Sequence, residues 1–274
     1  MRYTAMADSD YMEGRIRDLA RSAYMNDYIT HTDFLSASEQ AAFHTALRKL
    51  GVPLMADRLE GAQYLLYGGF DEAERQTAVF LPSWLDAKTY KAQEDDAPQV
   101  VTCLKVSPAA AKFADSLTHR DYLGALMNLG ITRGQVGDIL IDRSDYSAYV
   151  FVFKDMADFI CSELSRVKHT TVIPREVPPS SCTVRPEFEI RNGSVASQRL
   201  DAVLSFVCRL ARGKAQELIE REAVTVDGQI AVSGAHELKE GSRVSVRGFG
   251  KFVFMGSRGT TKKGRNYIEV KIYK

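Results

Sequence analysis

Five cations and one carboxylate, packed into a short stretch, have the types and spacing to do chemistry. Arg199-Leu200-Asp201-x-x-Leu204 is followed by Arg209, then by Arg212-x-Lys214-Ala215-x-x-Leu218-Ile219, and Arg221 follows. Leu200, Val203, Leu204 and Val207 fall at i, i+3, i+4 and i+7, one face of a helix. A second short helix is predicted over Gly213 to Arg221, with Ala215, Leu218 and Ile219 on one face. Its first turn offers free backbone N–H groups, and Arg209, Arg212 and Lys214 cluster there. Helix dipole, N–H donors and guanidinium forks together make a phosphate site. Arg199 begins the first helix and Arg221 ends the second, so the whole reads polyanion shape rather than sequence. Arg247-Gly248-Phe249-Gly250-Lys251-Phe252 extends this basic edge. The glycines allow close approach, Phe249 either stacks on a base or serves packing, and Phe252 is read as core.

A second candidate surface lies in the middle of the chain, at Lys112, His119, Arg120 and Arg133. His119-Arg120-Asp121 has the lettering of a kinase catalytic loop. That loop needs an Asn five positions after the Asp, where this chain has Leu126, and no Gly-rich phosphate loop precedes it. Asp121 is therefore read as structural at a helix start and Arg120 as a polyanion contact. Cys103, Cys161, Cys182 and Cys208 show no C-x-x-C spacing and are read as buried reduced thiols rather than a zinc site. No nucleophile–base pair, metal cluster or Gly-rich cofactor turn emerges, so no catalytic residue and no cofactor are expected.

Charge divides the 274 residues unevenly. From Cys182 onward there are 17 Lys and Arg against 10 Asp and Glu, while the rest of the chain has 19 against 25. No acid lies between Gly241 and Ile268, where Arg243, Arg247, Lys251, Arg258, Lys262, Lys263 and Arg265 all fall. A polyanion-binding half is the reading. The acidic remainder leaves room for a protein partner. Hydrophobic residues at 45% and charged residues at 26% are ordinary for a globular chain. Ala148 to Phe153 is too short to span a bilayer, and the first ten residues lack a secretory apolar stretch, so a cytoplasmic location is expected.

The elements that must position these residues fall into blocks, and the class expected is α+β and multidomain. Residues 1–75 read as a helical N-terminal region. Tyr11 to Ile29 is rich in helix formers, Ser36 with Glu39 fits a capping box, and Gly51 stops the second helix. Residues 76–173 alternate strands (Ala78 to Leu81, Val100 to Val106, Asp138 to Ile141, Ala148 to Phe153) with helices (Leu117 to Leu129, Asp155 to Leu164), around a polar loop from Lys88 to Pro98. Residues 174–186, with four prolines, read as a linker. Residues 187–274 hold the two short helices, a hairpin turning at Asp227-Gly228, and further strands.

The ordered set Arg199-Leu200-Asp201-x-x-Leu204, Arg212-x-x-Ala215-x-x-Leu218-Ile219, Val224-x-Val226-x-Gly228, Gly241 and Val244-x-Val246 resembles the alpha-L RNA-binding motif of ribosomal small-subunit protein four. Three positions depart from it. Ala211 stands where the family has a capping Ser, Gly213 weakens the helix, and Ser242 replaces an acid. Further landmarks are Gly68-Gly69-Phe70, Ala73-Glu74-Arg75, Leu117 through Ile131 and Gly137-Asp138-Ile139. With them, the chain from about Gly68 onward resembles the bacterial YlmH family.

That resemblance implies an RRM-like, RNA-binding middle domain and a C-terminal alpha-L domain. It implies binding of rRNA and tRNA on the large ribosomal subunit, near peptidyl-tRNA, in rescue of stalled translation. The protein would be a monomer off the ribosome. Relatives are also linked to cell division and to photosystem assembly, so a protein-interaction factor is one alternative. Another is an accessory to RNA modification, because alpha-L domains accompany pseudouridine synthases and methyltransferases. In those synthases a large catalytic domain usually follows the motif, and here only a short tail does. The expected contacts are Arg199, Arg209, Arg212, Lys214 and Arg221, then Arg247 and Lys251, with Lys112, His119, Arg120 and Arg133 in the middle domain.

Overall fold

Arg2–Asn26 contains no proline and forms one long helix, α1, which buries Ile16, Ala20 and Ala23 at i, i+4, i+7 spacing. The computed structural model describes residues 2–53, 56–110, 115–185, 187–261 and 264–273, with side chains from residue 11 onward. The chain divides into two units, residues 1–185 and 186–274.

After α1 come β1 (Thr30–His31) and α2 (Ala37–Lys49). The capping box at α2 is present as expected. The Ser36 N–H donates to Glu39 Oε2 at 2.7 Å, and the Glu39 N–H reaches Ser36 Oγ at 3.5 Å. Short strands β2 (Arg58–Leu59), β3 (Ala62–Tyr67) and β4 (Thr77–Leu81) complete an antiparallel sheet in the order β1-β4-β3-β2. The N-terminal region is therefore not wholly helical, and a boundary at residue 75 would cut the β3–β4 pair. Two-residue strands carry no readable alternation, which is why β1 and β2 escape a pattern search that finds β4 as Ala78 to Leu81.

The stretch expected to be a polar loop holds a helix, α3 (Ala87–Asp96). Asp86 caps it, accepting from Lys88 and Thr89 N–H at 2.9 Å each, and Tyr90 and Glu94 are buried one turn apart. The buried Glu94 carboxylate accepts N–H bonds from Gln99, Val100 and Val101 at 2.7, 3.0 and 3.1 Å. These pin the start of the next strand, β5 (Val101–Pro108).

From β5 the chain continues through α4 (His119–Asn128), β6 (Val136–Asp142), β7 (Ser147–Phe153), α5 (Lys154–Glu163), β8 (Arg166–Val167) and β9 (Thr170–Val177). The sheet order is β6-β7-β5-β9-β8. Leaving out the short β8, this is a β-α-β-β-α-β unit with α4 and α5 on one face. The expected linker begins inside it, for Pro174 lies opposite Val106 in the β5–β9 pair. A proline is tolerated there because β8 pairs with β9 only near Thr170 and Thr171, leaving the N–H side of Pro174 on an edge. Downstream, Cys182 is fully buried.

β7 is buried along its whole length because it is covered from both sides. Ala148, Val150 and Val152 pack with Leu104 and Val106 of β5 against α4 and α5. Tyr149, Phe151 and Phe153 pack with Val101 and Cys103 against Phe34, Val79, Leu81 and Tyr90 of the first sheet's layer. The first sheet is in turn covered by α1 and α2 through Ala78 and Phe80. The unit is thus a helix–sheet–sheet–helix stack. At the joint, Gly69 (φ +92°) has no room for a Cβ, which would lie 2.4 Å from the Phe151 ring. The Arg75 guanidinium donates to the carbonyls of Phe34, Val136 (3.1 Å) and Arg133 (3.2 Å). The Asp138 carboxylate answers from β6, accepting from Glu74 and Arg75 N–H at 2.6 and 3.2 Å.

The second unit is a six-stranded antiparallel sheet in the order β10-β15-β14-β13-β11-β12. Its strands are β10 (Phe188–Val195), β11 (Val224–Val226), β12 (Gln229–Ile230), β13 (Arg243–Val246), β14 (Gly250–Thr260) and β15 (Asn266–Tyr273). Both its helices, described below, pack on one face over Val244, Val246, Phe252, Phe254, Ile268 and Val270. The expected turn at Asp227-Gly228 has both φ angles positive, +49° and +79°, the type I′ pattern.

Removing the Arg75 fork takes a charged donor from three carbonyls at the joint between the sheets, of which Val136 keeps Arg133 Nη1 and Arg133 keeps the Val136 N–H. Arg75→Ala is expected to cost about 2–4 kcal/mol. Calorimetry should show the melting temperature of the first unit down by roughly 5–15 °C. Arg75→Lys should not restore it, because an ammonium lacks the fork.

Candidate nucleic-acid interface

In the second unit, helix α6 (Leu200–Val207) turns its buried Leu200, Val203, Leu204 and Val207 to the sheet. Its first amides are already satisfied. Leu200 N–H donates to the His236 carbonyl at 2.8 Å and Asp201 N–H to that of Gly234 at 3.1 Å. The helix closes with Leu210 N–H bonded to the Ser205 carbonyl at 3.0 Å, and with Arg209 in the left-handed region at φ +54°. Helix α7 (Arg212–Glu220) follows at once, with Ala211 at its cap and no side-chain acceptor for its first amides. The missing capping Ser therefore leaves the start of α7 open to an external anion.

Asp201 joins the two helices. Its carboxylate, with the side chain only 8% exposed, accepts from Arg212 Nε at 2.9 Å and Nη2 at 2.8 Å, and lies 3.4 Å from Arg199 Nε. Both guanidiniums remain about half exposed. One buried carboxylate thus holds two arginine heads side by side with their outer N–H groups facing solvent, the arrangement a phosphate requires. Lys214 pairs with Glu217 one turn on, at 3.0 Å. That contact is exposed at both ends and exchanges readily for another anion. Arg209 and Arg221 are exposed, with no side-chain partner among the described residues. Arg247 and Lys251 are exposed on either side of Gly248-Phe249-Gly250, whose glycines have φ of +85° and +101°. Phe249 is half exposed in that turn, while Phe252 and Phe254 are core.

In the first unit the expected residues separate. His119 and Arg120 are exposed at the start of α4 and line two different clefts. Arg120 shares one of about 520 Å³ with Arg166 and Lys168, and His119 shares one of about 460 Å³ with Arg143 and Tyr146. Arg133 is instead committed inward. Its Nη1 donates to the Val136 and Gly137 carbonyls at 2.6 and 3.2 Å, so it closes its own turn beside Arg75 rather than facing outward. Lys112 lies outside the described residues. Arg143, Arg166 and Lys168 were missed, though the run Arg166-Val167-Lys168-His169 was a visible cue.

Asp121 has the structural role expected of it. It accepts from Thr118 N–H and Oγ1, both at 2.8 Å, and pairs with Lys168 at 2.8 Å. The Lys168 bond, followed by the Thr118 bonds, holds its pKa down at about 2. Cys103 and Cys182 are buried and Cys161 and Cys208 half-buried, all four as free thiols. Burial pushes each of them up from its ordinary value. Among the described residues, no three His, Cys, Asp or Glu are grouped to hold a metal ion, and no helix is long and apolar enough to cross a membrane.

Two outcomes test this geometry. Arg212→Ala leaves the buried Asp201 with Arg199 alone. Amide exchange in α6 and α7 should then show protection lowered by about 1–2 kcal/mol, with part of the loss recovered when Asp201→Ala is added. Fully additive losses would mean the two residues are not coupled. In a carboxyl NMR titration, Asp121 should have its midpoint near 2, and Lys168→Ala should move it up toward 3.8. Because the folded value is depressed, the cap contributes fully above 3.8 and is lost as pH falls through about 2.

Comparison with known proteins adds to this picture. Residues 101–180, the span of β5 to β9, match the family described as "Putative RNA-binding domain in YlmH". The chain is 29% identical over 238 residues to "Ribosome-associated protein quality control protein P2" of Bacillus subtilis (strain 168), covering 85% of this chain and 83% of the relative. Among solved structures, "Cell division protein ylmH from Streptococcus pneumoniae" aligns with a TM-score of 0.45 at 15% identity, over 66% of this chain and 93% of that one. Residues 101–180 thus match a domain described for YlmH, and the chain is similar to the Bacillus subtilis relative along most of both lengths.

Proposed function

We propose that this chain is a non-catalytic RNA-binding protein of ribosome-associated quality control, gripping rRNA and tRNA on the large ribosomal subunit through the α6–α7 surface. The observation that carries the reading is the convergence of Arg199 and Arg212 on the buried Asp201, next to the uncapped start of α7. Arg209, Lys214 and Arg221 surround it, and Arg247 and Lys251 extend the cationic surface. The matched RNA-binding family over residues 101–180 and the relative's printed role in ribosome-associated quality control support the same reading. So does the state of the acids near these cations. Asp201 is held by two arginines and Asp121 by a helix cap and Lys168, which suits neither to proton transfer.

In the first unit the RNA-facing surface is the α4 side, not the sheet. RRM modules stack bases on aromatics of the open sheet face. Here Tyr149, Phe151 and Phe153 are buried against the first sheet's layer. His119 and Arg143 in one cleft, and Arg120 and Arg166 in the other beside the Asp121-paired Lys168, are the cations that face phosphate there.

Salt dependence tests the proposal with variants that spare the fold. Arg209→Gly removes a cation from a left-handed position where glycine is at ease, so unit stability should hold or rise by about 1 kcal/mol. Combined with Lys214→Gln, it should weaken binding to a large-subunit rRNA hairpin or to tRNA. It should also flatten the slope of log K against log salt by about 1–2. Affinity that is insensitive to salt in the parent protein would refute the phosphate-contact reading. Cross-linking in cells should give reads concentrated in large-subunit rRNA and tRNA, diminished in the variant.

A further inference from the structure

The sheet of the second unit keeps one face clear of its own helices. Odd-numbered residues of β13 and β15, those of β14 before its bulge beyond Phe254, and even-numbered residues of β10 point to that face, opposite the core positions Val244, Phe252, Phe254, Ile268 and Val270. The register sets Ile190, Lys271, Val253 and Arg243 in one row across four strands. Beside that row Phe188 faces Tyr273, and two rows further along β15 Tyr267 faces Ser194. Ile190 and Tyr267 are 53% and 43% exposed. Phe188 and Tyr273 meet edge to face at 4.9 Å, and Lys271 Nζ lies 3.5 Å from the Phe188 ring centroid. The face carries Arg243, Lys251 and Lys271. Its acid Glu269 is paired with Arg258 at 2.9 Å, and at its margin Asp227 accepts the Arg243 N–H at 2.7 Å.

Aromatic rings separated by cations on a face with its acids engaged complement a nucleic-acid single strand. Each base has a π-face to stack and each phosphate a charge to meet. Tyr267 and Tyr273 are six residues apart on β15, about 20 Å, so an extended strand lying along β15 reaches a ring near each end with Lys271 between. We propose that this open face binds single-stranded RNA as a stacking platform, separate from the α6–α7 surface that grips folded RNA. The platform rests on the RNA-binding reading above. It supplies the base-stacking sheet that the first unit, with its sheet closed on both sides, does not offer.

The test uses the full chain and two fluorescent RNAs, an unstructured oligouridine of about 12 nucleotides and a stable hairpin, read by anisotropy. Tyr267→Ala with Arg243→Gln should lower oligouridine affinity about five- to tenfold while hairpin affinity stays within about twofold. Arg209→Gly with Lys214→Gln should do the converse. Oligouridine affinity unchanged in the sheet variant, with hairpin binding intact, would overturn the platform and leave the face to a protein partner. If both RNAs responded only to the helix variant, one site would serve both and the platform would again be wrong. A parent protein that binds neither RNA would overturn the platform and the underlying RNA-binding reading together.

Discussion

Covering β7 from both sides is the constraint on which the first unit depends. A strand with every side chain buried must be sandwiched, and in this chain the layers are α4 and α5 on one side and a second sheet on the other. The demand explains the N-terminal half. β4 is also fully buried, and α1 and α2 cover the far face of its sheet. It explains the glycine at residue 69 and the arginine at residue 75 as well. A Cβ would collide with Phe151, and backbone ends brought together between two sheets need a fork of donors to satisfy them.

The same constraint decides which surfaces are left for recognition. Closing a sheet on both faces withdraws its aromatics, and the exposed cations His119 and Arg120 lie on the helical side. In the second unit the logic is reversed. One layer of two short helices covers one face of six strands, and two of the basic residues at helix ends, Arg199 and Arg212, are held by a single buried carboxylate. Asp201 is less a site residue than a bracket. It gives two flexible arginines a common orientation, and side chains already ordered lose less entropy in any later ion pair.

How much of this could be read from sequence depended on the range of the interaction. Leu200, Val203, Leu204 and Val207 announce α6 because helical spacing is local, and Asp227-Gly228 announces a hairpin for the same reason. The capping box at Ser36 and Glu39 is likewise written in four residues. Of the first sheet only β4 was legible, since β1 and β2 have two residues each and make sense only beside β4 and β3 respectively. Asp86 and the buried Glu94 turned an acidic loop into a helix through contacts with residues further along. Arg133 looks no different from Arg120 or Arg209 in the sequence, and only the positions of the Val136 and Gly137 carbonyls distinguish it. The proline cluster suggested a linker, yet Pro174 sits at a strand edge where its missing donor is harmless.

The fully buried β7 also bears on how the chain is made. Ala148 to Phe153 is six residues with no charge, proline or glycine, rich in β-branched and aromatic side chains, the composition of a segment that self-associates when left bare. The elements that cover Tyr149, Phe151 and Phe153 include Phe34, Val79, Leu81 and Tyr90, all of which leave a synthesising ribosome earlier. Chain order therefore has the first sheet available as an intramolecular chaperone when the sticky strand emerges. A protein built with the two sheets in the opposite order would expose that strand for the time needed to synthesise its cover.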